Sequence, residues 1–313
     1  MSKTALIAVG GNSLIRAGQR GTIEEQYGNA RLTARAIITL IKDGWDIVIT
    51  HGNGPQAGAA LLRSERASGE VYTHTLDMCV ATTQSEIGYI MQRALDIELA
   101  EANIVKPITV IPTMVAVDPN DPAFKNPTKP IGPFYTEKQA EQKKRELGWD
   151  IIEDASRGYR RVVPSPEPKD VLQIDIIKRV IEMGYIVIAL GGGGIPVMNR
   201  GHGNIEGLEA VIDKDKSSSL LANMLDVDLF LISTEADAAY LNFKKPDQFE
   251  IRNATVAELE KYMDENHFAP GSMKPKIESV IRFLKNGGKK ALITNYECLE
   301  KAMKGESGTH VYP

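Results

Sequence analysis

Three short apolar runs in this chain end directly in glycine. Ala5–Val9 runs into Gly10, Gly11 and Asn12; Trp45–Thr50 runs into His51, Gly52, Asn53, Gly54 and Pro55. Tyr185–Leu190 runs into Gly191–Gly194, Ile195 and Pro196. A buried strand that ends in glycine brings bare backbone N–H groups to the mouth of a sheet, where an anion can be held. Three such junctions predict a site assembled from several strand ends, for a ligand with several phosphates or carboxylates.

The residues around the junctions predict alternating strands and helices. Thr4–Val9, Asp46–Thr50, Ile108–Ile111 and Val115–Val117 read as strands. Tyr27, Ala30, Ala34, Ile37, Ile38 and Ile41 recur at helical spacing until Gly44. Pro55 suits the first turn of a further helix. Leu76, Val80, Thr83, Ile87, Ile90 and Ala94 mark one face of a longer one. This alternation predicts an α/β fold with a mainly parallel sheet covered on both faces. Residues 118–168 break the rhythm and hold eight of the sixteen prolines. They still offer a charged helical piece, Glu137–Glu146, a β-like piece, Arg160–Val163, and apolar Ile131, Phe134, Tyr135, Trp149, Ile151 and Ile152. That content reads as an insertion with its own small structure rather than a linker. Beyond it, helices are expected at Val171–Met183, Ser217–Met224, Val256–Asn266 and Lys276–Lys285. Strands are expected at Ile186–Leu190, Leu229–Ser233 and, last, Ala291–Thr294. The expected division is an N-terminal lobe, 1–117, the insertion, 118–168, and a C-terminal lobe, 169–313.

Composition excludes several function classes. The net charge is −4, so there is no global basic field to hold a nucleic acid. Cys79 and Cys298 form neither a disulfide framework nor a zinc spacing. No apolar run approaches the roughly 18 residues of a membrane span, and the chain enters a strand with no leader pattern. A cytoplasmic setting and no membrane partner are the expectation. His51, His74, His202, His267 and His310 have no metal-binding spacing, so no protein-built metal site is expected. There is no P-loop pattern. Gly52–Ala57 fits a relaxed dinucleotide fingerprint, but it follows the second strand, not the first. Asp77, the acidic residue at the matching distance, falls in a helical pattern. Both points argue against a dehydrogenase.

Three lysines are candidate anion partners for the glycine loops. Lys214 lies between Asp213 and Asp215 and leads into Ser217–Ser219 and a helix, with Asp215 or Ser217 as candidate N-cap. A helix start of this kind suits a phosphate. Lys276 follows the turn at Gly271 and opens another helix, and Lys129 precedes Pro130 in the insertion. Lysines beside glycine loops suit phosphoryl transfer, which needs mostly alignment and neutralisation of oxygens.

Together these segments resemble the amino-acid kinase superfamily, and within it the carbamate kinases. The segments are Ala8–Asn12, Thr50–Gln56, Lys129–Tyr135, Arg161–Pro166, Gly191–Pro196, Glu209–Asp215 and Gly271–Lys276. The resemblance covers essentially the whole chain. It implies a three-layer αβα sandwich around a mainly parallel sheet, a small protruding insertion subdomain, and a homodimer. It implies reversible phosphoryl transfer between ATP and carbamate, giving ADP and carbamoyl phosphate, with Mg²⁺ carried by the nucleotide. In such enzymes arginine breakdown supplies the carbamoyl phosphate for making ATP. Carried over, Gly10, Gly11, Asn12, Gly52 and Asn53 hold the carbamate. Lys214 and Lys276 bridge the moving phosphoryl group, Asp215 orients both, and Lys129 reaches in from the insertion. Gly191, Gly192, Gly193, Asp237, Tyr240 and Met273 lie on the nucleotide side. One position departs from the superfamily pattern. Many of its acid kinases carry a lysine two residues before the first glycine pair, where this chain has Ala8. Lys129 is the expected substitute for that charge. The alternatives are another acid or phosphate kinase of the same fold and a non-catalytic ligand-binding regulator.

Overall fold

The structure is a computed structural model that describes residues 3–11, 14–16, 18–154, 158–201, 203–269 and 272–313. Asn12, His202 and Gly271 lie outside the described residues. An eight-stranded sheet runs in the order Asn253–Thr255, Thr309–Tyr312, Ala291–Thr294, Leu229–Ser233, Lys3–Val9, Trp45–His51, Ile186–Ala189, Ile108–Ile111. The six strands from Ala291–Thr294 to Ile108–Ile111 are parallel. Thr309–Tyr312 turns antiparallel to Ala291–Thr294 and carries Asn253–Thr255 parallel to itself. The strand Ile186–Ala189, from the second half of the chain, pairs with Trp45–His51 on one side and Ile108–Ile111 on the other. Both halves of the chain therefore share one sheet.

Side chains alternate faces along each strand, and this alternation builds the layers. Ala5, Ile7 and Val9, with Ile47, Ile49, Ile186, Ile188, Leu229 and Leu231, face one core. Helices Ile23–Lys42, Leu76–Glu101 and Leu299–Met303 cover it with Ile37, Ile87, Leu95 and Leu299. Leu6 and Ala8, with Val48, Val187, Phe230, Ile232 and Ile293, face the opposite core. There helices Ile174–Glu182, Lys214–Met224, Val256–Asp264 and Met273–Lys285 pack with Ile177, Leu221, Leu259 and Phe283. The result is a three-layer αβα sandwich around a mainly parallel sheet.

The proline-rich insertion is folded. Strands Lys129–Tyr135, Tyr159–Val163 and Ile151–Glu153 form an antiparallel sheet in that order, beside the helix Glu137–Leu147. Trp149, Ile151 and Ala140 form a small core. A second anchor joins the insertion to the body, where Ile131 and Val163 pack with Leu61, Leu76 and Val80.

Several element boundaries differ from the sequence reading. The segment expected as one helix from Val171 is a strand, Pro168–Val171, followed by the helix Ile174–Glu182. The strand Pro168–Val171 pairs with Met114–Val117, so sheet pairing overrides the apolar periodicity. The helix expected from Ser217 starts at Lys214 with Asp213 as N-cap, accepting from the N–H groups of Asp215 and Lys216. Neither Asp215 nor Ser217 is the cap. The helix expected from Lys276 starts at Met273. Thr309–Tyr312 is a strand beyond the one read as last.

Candidate active site

Parallel strands point all their carboxyl ends the same way, and ligands of open α/β sheets sit outside those ends. The three glycine junctions meet there. The N–H of Gly52 donates to the carbonyl of Val9 at 3.1 Å, and that of Gly10 to Ser233 at 3.1 Å. A β-carbon on Gly52 would stand 3.0 Å from the amide nitrogen of Gly11, so the first two junctions are in contact. The third reaches them through Asn53. Gly192 has φ of +67°, and a β-carbon there would fall 2.1 Å from Asn53 Nδ2. Only glycine meets both conditions. Asn53 is buried and donates from Nδ2 to Thr83 Oγ1 at 2.9 Å.

The run Gly191–Gly193 is itself buried. Gln84 Nε2 donates to the carbonyl of Gly191 at 2.8 Å, and Ser217 Oγ to that of Gly193 at 2.7 Å. The N–H groups of Gly193 and Gly194 close a tight turn onto Leu190 and Gly191. Much of the run's backbone is therefore engaged within the protein. It seats Asn53 on one side and the start of the helix Lys214–Met224 on the other. Thr50 Oγ1 and Ser218 Oγ, 2.6 Å apart, join that helix to the strand Trp45–His51.

Five charges alternate across the site. Lys129 Nζ donates to Asp213 Oδ2 at 2.6 Å. Lys214 Nζ lies 2.8 Å from Asp215 Oδ1, and Lys276 Nζ 3.0 Å from Asp215 Oδ2. Three cations and two anions leave one net positive charge in a pocket of low exposure: Lys214 is 8% and Asp215 4% exposed. Burial pushes the Asp215 carboxyl upward, but Lys214 and Lys276 outweigh it and hold the group well below the usual carboxylate range. Burial also lowers Lys214, and Asp215 only partly offsets it. For Lys276 the same burial is outweighed by the charges of Asp215, Asp213 and Glu235, so its pKa rises. Lys214 Nζ also donates to the carbonyl of Ala8 at 3.2 Å, at the position where the superfamily pattern places a lysine.

Of the nucleotide-side candidates, Asp237 and Tyr240 pair with each other. The hydroxyl of Tyr240 donates to Asp237 Oδ1 at 2.9 Å, and burial followed by that carboxylate raises the phenol to about 12. Met273 opens the helix that carries Lys276 and packs against the core. Three further groups have roles that the sequence reading did not assign, because a partner of each is remote. Asp213 is both helix cap and partner of Lys129. Gln84 joins Gly191 to Thr113. Glu167, at the end of the insertion, accepts from Lys216 Nζ at 2.8 Å and from Arg282 Nη1, on the helices that carry Lys214 and Lys276. Burial raises the Glu167 pKa, but Arg282 and Lys216 outweigh it and the group stays low.

His51 is a buried scaffold residue beside this cluster. Burial pushes its imidazole down to about 4; its contact with the Gly52 carbonyl works against this and the charge of Lys214 works with it. The native state therefore holds His51 neutral where the unfolded chain, near 6.5, takes up a proton. The stabilisation is complete above pH 6.5 and is lost as pH falls toward 4, by up to about 3 kcal/mol. Denaturant unfolding at pH 7.5 and 4.5 is expected to show wild type losing about 2–3 kcal/mol more than His51→Gln. Equal losses would remove His51 as the acid-sensitive group.

A glycine-walled row of lysines and aspartates at the carboxyl ends of a parallel sheet places the chain among αβα-sandwich proteins with a charged pocket at the mouth of the sheet. The pattern of the family described as "Amino acid kinase family" matches residues 3–295. A carbamate kinase of Thermococcus kodakarensis is 46% identical, with 99% of both chains covered. One of Trichomonas vaginalis is 46% identical over 98% of this chain and 99% of its own. The solved carbamate kinase of Giardia lamblia bound to AMP-PNP superposes with a TM-score of 0.89 at 39% identity, covering 99% of this chain and 98% of that one. The same enzyme bound to citric acid gives 0.94 at 38%. This chain belongs to the amino acid kinase family, in its carbamate kinase branch.

Proposed function

We propose that this chain transfers a phosphoryl group reversibly between ATP and carbamate, giving ADP and carbamoyl phosphate. The observation that carries the reading is the row Lys129–Asp213, Lys214–Asp215–Lys276 beside the glycine cradle. Gly10, Gly11, Gly52 and Asn53, with Asn12, would hold the small acid through backbone N–H groups. Asp237, Tyr240 and Met273 would flank the nucleotide, with Gly191–Gly193 as the floor between the two half-sites. Lys214 and Lys276 would neutralise the oxygens of the phosphoryl group as it crosses, because Asp215 already fixes both ammonium groups and little reorganisation is needed. Lys129 closes the site from the insertion. The division into an acid-binding lobe, 1–117, a lid, 118–168, and a nucleotide-binding lobe, 169–313, belongs to this proposal.

Mg²⁺ enters the proposal with the nucleotide. Asp213 and Asp215 are both engaged by lysines, and among the described residues no three His, Cys, Asp or Glu side chains cluster as a metal site. A nucleotide-borne Mg²⁺ fits that arrangement, since it takes its ligands from phosphate oxygens and water with few protein carboxylates. Bound there, it would shield phosphate charge. The ATP-forming direction in arginine breakdown, a homodimer and a cytoplasmic setting complete the proposal. Among the described residues, no helix is long and apolar enough to cross a membrane.

A coupled assay tests the reading. Supplied with ADP, Mg²⁺ and carbamoyl phosphate, the folded protein is expected to form ATP, and excess EDTA to stop it. Folded protein that forms no ATP would rule the proposal out.

A further inference from the structure

Beside the lysine row lies a cavity of about 690 Å³. Its walls come from three parts of the chain. Ile15, Arg16 and Gly18–Gly21 supply one, the helix Gly54–Arg66 the second, and Gly132–Phe134 of the insertion the third. Arginines project from all sides. Arg16 and Arg20 come from the first segment, Arg63 and Arg66 stand one turn apart on the helix, and Arg160 comes from the insertion. Among the described residues of the lining, Glu86 is the one that is acidic.

Two of these guanidinium groups are held in place. Arg16 lies over the ring of Tyr296, 5.1 Å from its centroid, and bonds its hydroxyl. Arg160 is buried, and donates to the carbonyl of Gly132 and to Asp154, both at 3.1 Å. Arg20, Arg63 and Arg66 have no acidic partner among the described residues. Arg160 has Asp154 as its counter-charge; the other four like charges around one cavity repel one another, and an anion between them removes that cost. Planar guanidinium forks match carboxylate and phosphate oxygens in pairs. The volume lies within the range for small-molecule sites and exceeds what a four-atom acid fills. The cavity is separate from the lysine row: none of Lys129, Lys214 and Lys276 lines it. The first turn of the helix Gly54–Arg66 stands between, where Pro55 lines the cavity and also backs Gly11.

We propose that this cavity is a second anion site, for a small compound carrying two or more carboxylates or phosphates. Its occupant touches the body on one side and the insertion on the other, and so ties the two together. The inference does not depend on the reaction proposed above.

Titration calorimetry of the full chain tests it, at fixed ionic strength, with inorganic pyrophosphate and tricarballylate as separate probes. The catalytic site is first filled with carbamate and AMP-PNP. At least one probe is expected to bind once per chain under that block. The doubly substituted Arg20→Gln/Arg66→Gln protein is expected to bind it at least tenfold more weakly, with its melting temperature and ATP formation kept. Tighter pyrophosphate points to a phosphate compound, tighter tricarballylate to a polycarboxylate. Binding that vanishes when the catalytic site is filled, or that the double substitution leaves unchanged, would overturn the proposal. Arg63→Gln gives an independent variant on an exposed helix position if the double substitution fails to fold.

Discussion

Lys276→Met is expected to lower kcat for ATP formation by roughly 10²- to 10³-fold, with little loss of stability. One preorganised group aimed at developing charge is worth about that factor, or about 3–4 kcal/mol of barrier. Lys276 qualifies as preorganised because Asp215 Oδ2 holds its ammonium at 3.0 Å and the surrounding charges keep it protonated. The substitution orphans no charge, since Asp215 keeps Lys214 at 2.8 Å. Methionine also keeps the unbranched stem. Asp215→Ala makes the contrast. It leaves Lys214 and Lys276 facing each other without their shared anion, so activity and stability are expected to fall together. Steady-state kinetics with thermal unfolding separates the two outcomes. If Lys276→Met raised KM and left kcat alone, the lysine would be binding ground state and transition state equally, and its bridging role would fail.

The residues in that argument were legible because each sits in a short local pattern. A strand that runs into glycine, or a lysine between two aspartates, needs no knowledge of distant neighbours. Helix starts were less legible where several residues could cap. Asp213, Asp215 and Ser217 all accept hydrogen bonds well, and the choice of Asp213 follows from a fold that sends its other oxygen to Lys129, 84 residues away. Strand order was not legible at all. Nothing local to Ile186–Ala189 says that it pairs between Trp45–His51 and Ile108–Ile111. Which face of the sheet each helix would cover was not legible either. The helices sort by face of one sheet, because odd and even positions of the same strands feed different cores. The third glycine run was read as one more anion-binding strand end. Its burial against Asn53 is a tertiary fact that glycine content cannot reveal.

Gly58→Ala is expected to destabilise the protein by about 1–3 kcal/mol or more and to reduce phosphoryl transfer, although Gly58 touches no proposed ligand. Its place in the middle of the helix Gly54–Arg66 is otherwise unfavourable to glycine, because alanine holds a helix better by about 1 kcal/mol. The reason for glycine lies across the interface. A β-carbon at position 58 would stand 2.1 Å from the amide nitrogen of Gly132 and 2.2 Å from its Cα. Those are backbone atoms, so no rotamer change relieves the clash. The strand Lys129–Tyr135 has to back away from the helix, which unseats Ile131 from Leu61 and Val80. Lys129 is three residues from Gly132 on that same strand, and its 2.6 Å bond to Asp213 has no slack for such a shift. Displacement of an aligned group by about 1 Å is enough to cost as much as 10²-fold in rate. Gly28→Ala is the matched control. It lies in the helix Ile23–Lys42 with nothing within 4 Å of its β-carbon position, and is expected to stabilise by about 0.5–1 kcal/mol with activity unchanged. Should Gly58→Ala behave like Gly28→Ala, the insertion would not be seated on this helix, and Lys129 would owe its position to something else.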